Sequence, residues 1–170
     1  SATGLLQGAY NSLGGIQTQD VVWALQEHSS DEALGPTRGP DWDDNGVWRV
    51  IHAHTWDADH SIVRNTFNSL LTAQFSATAV LEQSPTASEA AQARFIRALS
   101  VFLVADLYDQ VPYREDLKDL KAVPVTLKGV EAANKVISEL ETVLSQLPDN
   151  TGNTFVANKD AARALLMKAY

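Results

Sequence analysis

The sequence contains no cysteine and a single methionine. Neither a disulfide framework nor a thiolate metal site can be built from it. The compartment stays open, since many proteins of oxidising compartments also do without disulfides. Basic residues are scarce as well: 13 Lys and Arg stand against 21 Asp and Glu, a net charge of −8. That balance argues against nucleic acid as a partner, because phosphates require a basic surface, and against membrane attachment by a polybasic patch. No apolar run approaches the roughly 18 residues needed to span a bilayer, and no secretory leader is visible at Ser1. A G-x-S-x-G elbow, a Walker loop and a dinucleotide fingerprint are all absent, so neither an enzyme nor a cofactor is expected. What remains is 170 residues, 45% apolar, enough for one globular domain over 1–170 with a sizeable core.

The strongest structural signal lies between Glu89 and Tyr108. Ala91, Phe95, Ala98, Leu99, Phe102 and Val104 lie near helical spacing, and Gln92, Arg94, Arg97 and Asp106 interrupt any all-round apolar surface. Thr86 and Glu89 have the capping-box spacing, and Pro112 ends the helix within the next turn. Upstream, Ile62, Val63, Phe67, Leu70, Leu71, Ala73, Phe75, Ala77 and Leu81 predict a long helix ending near Glu82. The short Ser84-Pro85 connection makes the two an antiparallel hairpin. Further helices are expected over Thr3–Leu13, where Gly14-Gly15 stops the pattern; from Asp20 through Leu25; from Val130 to Leu147; and from an Asn158 cap onward. Residues 113–127 read as an extended connection. The expected fold class is all-α, with helical hairpins like those of tetratricopeptide repeats, although no repeat period is recoverable. The pattern breaks off at Met167–Tyr170 without a C-cap, so the chain reads as part of something longer.

Between Gly35 and Asp57 the periodicity disappears into turn signals, and a loop this long is expected to be functional or a brace for its neighbours. It holds three of the four tryptophans: Trp42, Trp48 and Trp56. Asp41-Trp42-Asp43-Asp44-Asn45-Gly46 matches the front of a calcium loop, but the twelfth position is His52 where a bidentate Glu belongs. A turn built by Asp and Asn side chains on the backbone is the preferred reading. His52, His54 and His60 are read as bracing the loop through backbone hydrogen bonds, in preference to a metal site. Flat indoles beside Asp, Asn and Arg suit carbohydrate, whose rings present C–H faces and hydroxyl edges. Arg38, Asp41, Trp42, Asn45 and Trp48 are the candidate contacts. Trp42 is the best of them, while Trp48 and Trp56 are expected to pack the loop onto helices.

Several segments agree, in order, with one known family. Ser30-Asp31-Glu32, the run Arg38 to Trp48, His54-Thr55-Trp56, the helix from Phe67 to Thr78, Ala93-Arg94-Phe95-Ile96-Arg97-Ala98 followed by Leu107 to Pro112, Leu147-Pro148 and Asn158 to Leu166 together resemble the signature series of the SusD/RagB proteins. Phe67, Thr78 and Asp109 depart from the usual Trp, Asn and Gly. Family members are considerably longer, so the resemblance is to their N-terminal, repeat-like part. It implies an outer-membrane, lipid-anchored protein of the cell surface that captures a glycan or peptide without chemistry. It further implies a SusC-like TonB-dependent transporter as partner, with the lipid-bearing cysteine upstream of Ser1. The competing readings are a helical-repeat interaction scaffold, which predicts a regular repeat, and a glycosidase, which needs two carboxylates facing across a cleft.

Overall fold

The computed structural model describes residues 1–36, 39–40 and 43–170. The order of elements is α1 (Ala2–Asn11), α2 (Val22–His28), α3 (Val47–His52), α4 (Ser61–Leu81), α5 (Ala87–Tyr108), β1 (Gln110–Tyr113), β2 (Val125–Lys128), α6 (Val130–Val143) and α7 (Lys159–Ala169), with short 3₁₀ turns at Gly14–Gln17, Asp44–Gly46 and Leu144–Gln146. The chain divides into two compact units. One comprises Ser1–Ser12 with Leu70–Tyr170, the other Leu13–Ser69.

The larger unit is organised around α5. Its start is fixed by the expected capping box: the Thr86 hydroxyl accepts from the Glu89 amide, and the Glu89 carboxylate accepts from the Thr86 amide. Its end is a left-handed Asp109 (φ 61°), whose amide returns to the Ala105 carbonyl. Ala91, Ala93, Phe95, Ile96, Ala98, Val101, Leu103 and Val104 are all buried, which takes burial nearly round the helix. The alanines let neighbouring backbones approach closely, and each large apolar side chain contributes roughly 1.5–3 kcal/mol. The Ser100 hydroxyl donates to the Leu70 carbonyl of α4. Leu70 lies about as far before the turn as Ser100 lies after it, as an antiparallel hairpin requires. At the other end of the unit, Asn158 caps α7 by accepting from the Ala161 amide, as expected. Tyr10 of α1 donates its hydroxyl to Gln92 at 2.7 Å and accepts from the Ala157 amide at 2.9 Å.

Arg97 corrects the expectation that the charged residues of α5 interrupt its buried surface. Its side chain is 1% exposed and donates to Glu139 of α6 at 2.7 Å and to the Glu115 carbonyl at 3.0 Å. Lys135 closes the group, 2.7 Å from Glu115 and 3.2 Å from Glu139. Tyr113 lies beneath both cations, 5.5 Å from the Arg97 guanidinium and 4.9 Å from the Lys135 ammonium. Burial pushes its phenol up to about 12, against the pull of Arg97.

The extended connection is in fact a ribbon. β1 and β2 pair antiparallel, Val111 opposite Leu127 and Tyr113 opposite Val125. Pro112 is accommodated because a two-stranded ribbon has only edges, and a residue without an amide hydrogen is tolerated there. The fold is otherwise helical. Arg114 clasps the loop between the strands, donating to the carbonyls of Asp119, Leu120 and Ala122.

In the smaller unit the aperiodic stretch contains a helix that periodicity does not announce. Asp44, Asn45 and Gly46 take successive positive φ values of 41°, 56° and 80°, and the chain enters α3 directly from that turn. Three consecutive left-handed residues are costly for anything but Gly, Asn or Asp, which is the composition found. Val21, not Asp20, precedes α2, and no side chain caps it. Val22, Leu25, Trp48 and Ile51 bury the facing sides of α2 and α3.

Candidate functional site

The site lies in the smaller unit, on α2, α3 and the segments before each. Trp23 leaves α2 on its outward side and is 45% exposed, although it sits within an apolar run. Five residues further, more than a full turn on, His28 is buried. The two rings meet edge to face with centroids 5.7 Å apart. His28 lies in turn against Trp48 of α3, 5.1 Å away and tilted by 34°. The three rings thus form a graded wall, from the exposed indole of Trp23 to the buried indole of Trp48.

Trp48 is fixed at both faces of its role. Its indole N–H donates to Asp44 Oδ2 at 2.8 Å, so its polar edge is satisfied within the turn that precedes α3. On the other side Gly35 approaches so closely that a Cβ there would stand 2.6 Å from Trp48 Cβ. Only a glycine lets this backbone lie against the indole.

Two adjoining clefts open along this wall. One, of about 470 Å³, is lined by Gln17, Gln19, Trp23, His28, Ala33, Leu34, Gly35, Pro36 and Trp48. The other, of about 770 Å³, is lined by Gln17, Thr18, Gln19, Asp20, Pro40, Asp44 and Trp48. They share Gln17, Gln19 and Trp48, so an apolar floor continues into a rim of amides, a hydroxyl and carboxylates. A flat aromatic face beside convergent hydrogen-bonding groups is the arrangement that holds a ligand with both apolar faces and polar edges.

His28 is electrically unusual. It ends α2, where the helix dipole favours a cation, yet burial, and behind it the charge of His52, pushes the imidazole below its ordinary value. Desolvation therefore outweighs the helix terminus, and the wall is neutral at physiological pH. The Nδ1 atoms of both His28 and His52 are buried without a hydrogen-bond partner.

The candidates from sequence fare unequally. Arg38, Asp41 and Trp42 lie outside the described residues. Asn45 is exposed at the crest of the left-handed turn. Trp48 lies beside the clefts but is 6% exposed, which matches the packing role preferred for it. Trp56 departs from that expectation: it is 41% exposed and lies against His54 at 5.3 Å. Two of the three loop histidines brace the backbone as expected. His54 Nε2 meets the Ser29 carbonyl at 2.8 Å, and His60 Nε2 the Val47 carbonyl at 3.0 Å. In the would-be calcium turn, Asp43 accepts from Arg49 at 2.9 Å and Asp44 from the Trp48 indole. Both carboxylates are therefore occupied by neighbouring side chains. Among the described residues no group of three or more His, Asp or Glu converges as metal ligands would.

Sequence reasoning missed Trp23, His28, Gln17, Gln19 and Asp20. The signal that could have found Trp23 is its size: a tryptophan on a seven-residue helix has little core to enter.

No protein-family model matches the sequence, and no curated protein does. Solved structures do match. A SusD superfamily protein of Bacteroides thetaiotaomicron is similar over 99% of this chain and 41% of its own, with a TM-score of 0.77 and 17% identity. A laminarin-binding SusD-like protein matches over 99% and 39%, with a TM-score of 0.78 and 19% identity. A SusD-like carbohydrate-binding protein of Bacteroides fragilis matches over 99% and 36%, with a TM-score of 0.78 and 18% identity. The chain spans about two-fifths of the length of these structures. At such identities the likeness is one of architecture: the helical fold of this chain resembles that of the matching two-fifths of these SusD-like structures.

Proposed function

We propose that the chain is part of a non-catalytic glycan-binding protein of the SusD/RagB family, held at the outer-membrane surface by a lipid anchor. In this reading it delivers its ligand to a SusC-like TonB-dependent transporter, and the Trp23 cleft is a glycan contact. The observation that carries the glycan assignment is the half-exposed indole of Trp23, continued inward by His28 and Trp48 and rimmed by Gln17 and Gln19, with Thr18 and Asp20 lining the adjoining cleft. A sugar ring lays its C–H face on such an indole while its hydroxyls reach amides and carboxylates. The similar structures named for laminarin and carbohydrate binding favour the same ligand class. Arg38, Asp41, Trp42 and Asn45 belong to this proposal as further contacts from the neighbouring loop. Affinity need not be high, since millimolar binding corresponds to only about −4 kcal/mol, and a transporter that removes ligand makes weak capture sufficient.

Isothermal titration of the protein with a panel of oligosaccharides tests the reading. Binding by at least one glycan, weakened severalfold by Trp23→Ala with the thermal unfolding unchanged, supports it. Binding indifferent to Trp23 removes the cleft from the proposal, and release of reducing sugar from the panel overturns the non-catalytic assignment. Co-purification with, or loss of, a transporter barrel tests the partner.

A further inference from the structure

The larger unit carries a surface that its own core does not use. β1 buries Val111 and Tyr113, whereas β2 buries none of its four residues. Val125 is 61% exposed and Val123, just before the strand, 89%. With Leu127, these alternate residues line a cleft of about 490 Å³ together with Tyr113 and Lys135. The backbone is open there too. Residues of an antiparallel pair alternate between pointing their amide and carbonyl at the partner strand and pointing both away. The Pro112 carbonyl accepts from Gln74 of α4 at 3.1 Å, and the Lys128 amide donates to Glu131 at 3.3 Å. The Pro112–Thr126 and Gln110–Lys128 pairs are therefore the outward ones. α4 covers the β1 edge at Pro112, while the amide and carbonyl of Thr126 face out with no partner among the described residues.

Charge singles out what would lie along this edge. Four of the chain's six lysines fall between residues 118 and 135. Lys118 is paired with Asp116 and Lys135 with Glu115. The nearby carboxylates of Asp119 and Glu131 accept from backbone amides. Lys121 and Lys128 are exposed, one before β2 and one at its end, and no carboxylate pairs with either among the described residues. We propose that the β2 edge is a docking site for an extended segment of a partner protein, apolar at alternate positions and acidic at its ends, which adds a third strand at Thr126. Backbone pairing supplies the attachment, and the face of Val123, Val125 and Leu127 takes alternate side chains. The two free lysines select acidic flanks. Pro124 and Lys128 bracket the open position, and such residues prevent indiscriminate edge pairing, which confines docking to a short strand of opposite charge. The site lies in the larger unit and does not depend on the glycan reading.

The probes are fluorescein-labelled synthetic peptides alternating valine and threonine. One has two glutamates at each end, one has two lysines at each end, and the third is the glutamate form with its backbone amides N-methylated. Fluorescence anisotropy at 20 and 300 mM NaCl gives their affinities. The glutamate peptide is expected to bind about tenfold more tightly than the lysine peptide at low salt, with the gap narrowing at high salt as the charges are screened. N-methylation is expected to weaken binding about tenfold by removing the donors of the added strand. Amide exchange at Thr126 is expected to slow when the unmodified peptide binds. Lys121→Ala with Lys128→Ala removes the preference for glutamate ends, and Thr126→Pro abolishes binding with the far-ultraviolet circular dichroism unchanged. If Thr126→Pro unfolds the ribbon, the N-methylated peptide decides in its place. Failure of the glutamate peptide to bind, equal binding of the glutamate and lysine peptides, or unchanged exchange at Thr126 overturns the proposal. Self-association in sedimentation that Thr126→Pro abolishes overturns it in favour of a second copy of this chain.

Discussion

Arg97 of α5 and Glu139 of α6 meet at 2.7 Å with 1% and 4% of their side chains exposed. Removing two charges from water costs several kcal/mol each, and their mutual attraction repays this only with good geometry and further partners. Here the partners are present: Arg94 at 3.7 Å and Lys135 at 3.2 Å share the same Glu139 oxygen, and Glu115 serves the other side of Arg97. Even so, Arg97 Nε and Glu139 Oε2 find none. The pair therefore fixes how α5 and α6 align more than it adds net stability.

Breaking one half of it is predicted to be far worse than removing both. Arg97→Ala leaves Glu139 buried beside only Lys135 and Arg94 and should cost about 3–5 kcal/mol. The double variant Arg97→Met with Glu139→Leu should recover most of that loss. Urea unfolding of the three proteins measures it, and additive losses would show that no such coupling exists.

Trp23 and Trp48 should separate binding from stability. Trp23→Ala removes an exposed ring and is expected to leave unfolding nearly unchanged while weakening glycan binding. Trp48→Ala empties a buried, hydrogen-bonded position and should cost about 3–5 kcal/mol. Thermal unfolding and titration on the same two samples decide whether the division holds.

Gly35→Ala is predicted to disturb the same wall from behind. The added methyl meets Trp48 Cβ at 2.6 Å, so backbone must shift, with a loss of about 1–3 kcal/mol. Altered near-ultraviolet circular dichroism from the tryptophans, with unchanged far-ultraviolet signal, is the expected signature.

The depressed His28 imidazole makes stability pH-dependent in a definite direction. The unfolded chain takes up a proton near pH 6.5 while the folded one resists until lower pH. Stability contributed by His28 is whole above the unfolded value and declines as pH falls through the interval down to the folded value. The melting temperature of the native protein should therefore fall more steeply between pH 7.5 and 5 than that of His28→Gln. Parallel curves would refute the assignment.

At the start of α5, Thr86→Ala should destabilise by about 1 kcal/mol by removing the cap, read as a lower urea midpoint with unaltered slope. No change would mean that Glu89, also bound to Thr3 at 2.7 Å, holds the helix start alone.

These examples also mark where sequence is legible and where it is not. Caps at Thr86 and Asn158 are local, involving atoms three residues apart, and both are found where the spacing puts them. Arg97 is not local. Its burial depends on Glu139 and Glu115, which helical spacing on α5 cannot reveal, so a guanidinium reads as surface. The ribbon of β1 and β2 hides because four residues are too few to show alternation and Pro112 argues against a strand. The six residues of α3 are likewise shorter than two helical turns. For the proposed site, the indole-rich stretch reaches its neighbourhood through Trp48 and Asp44. It missed the exposed platform, because which of two tryptophans faces outward is decided by packing between α2 and α3.

The hydroxyl of Tyr10 joins Gln92 and the amide of Ala157, which lies 147 positions later. A contact of that span forms only once residue 157 has been synthesised. α1 can meet α5 before then, through Tyr10 on Gln92 and Thr3 on Glu89. Closing the wider loop to Ala157 carries a further entropic cost, which makes that link the last to join α1 to its unit.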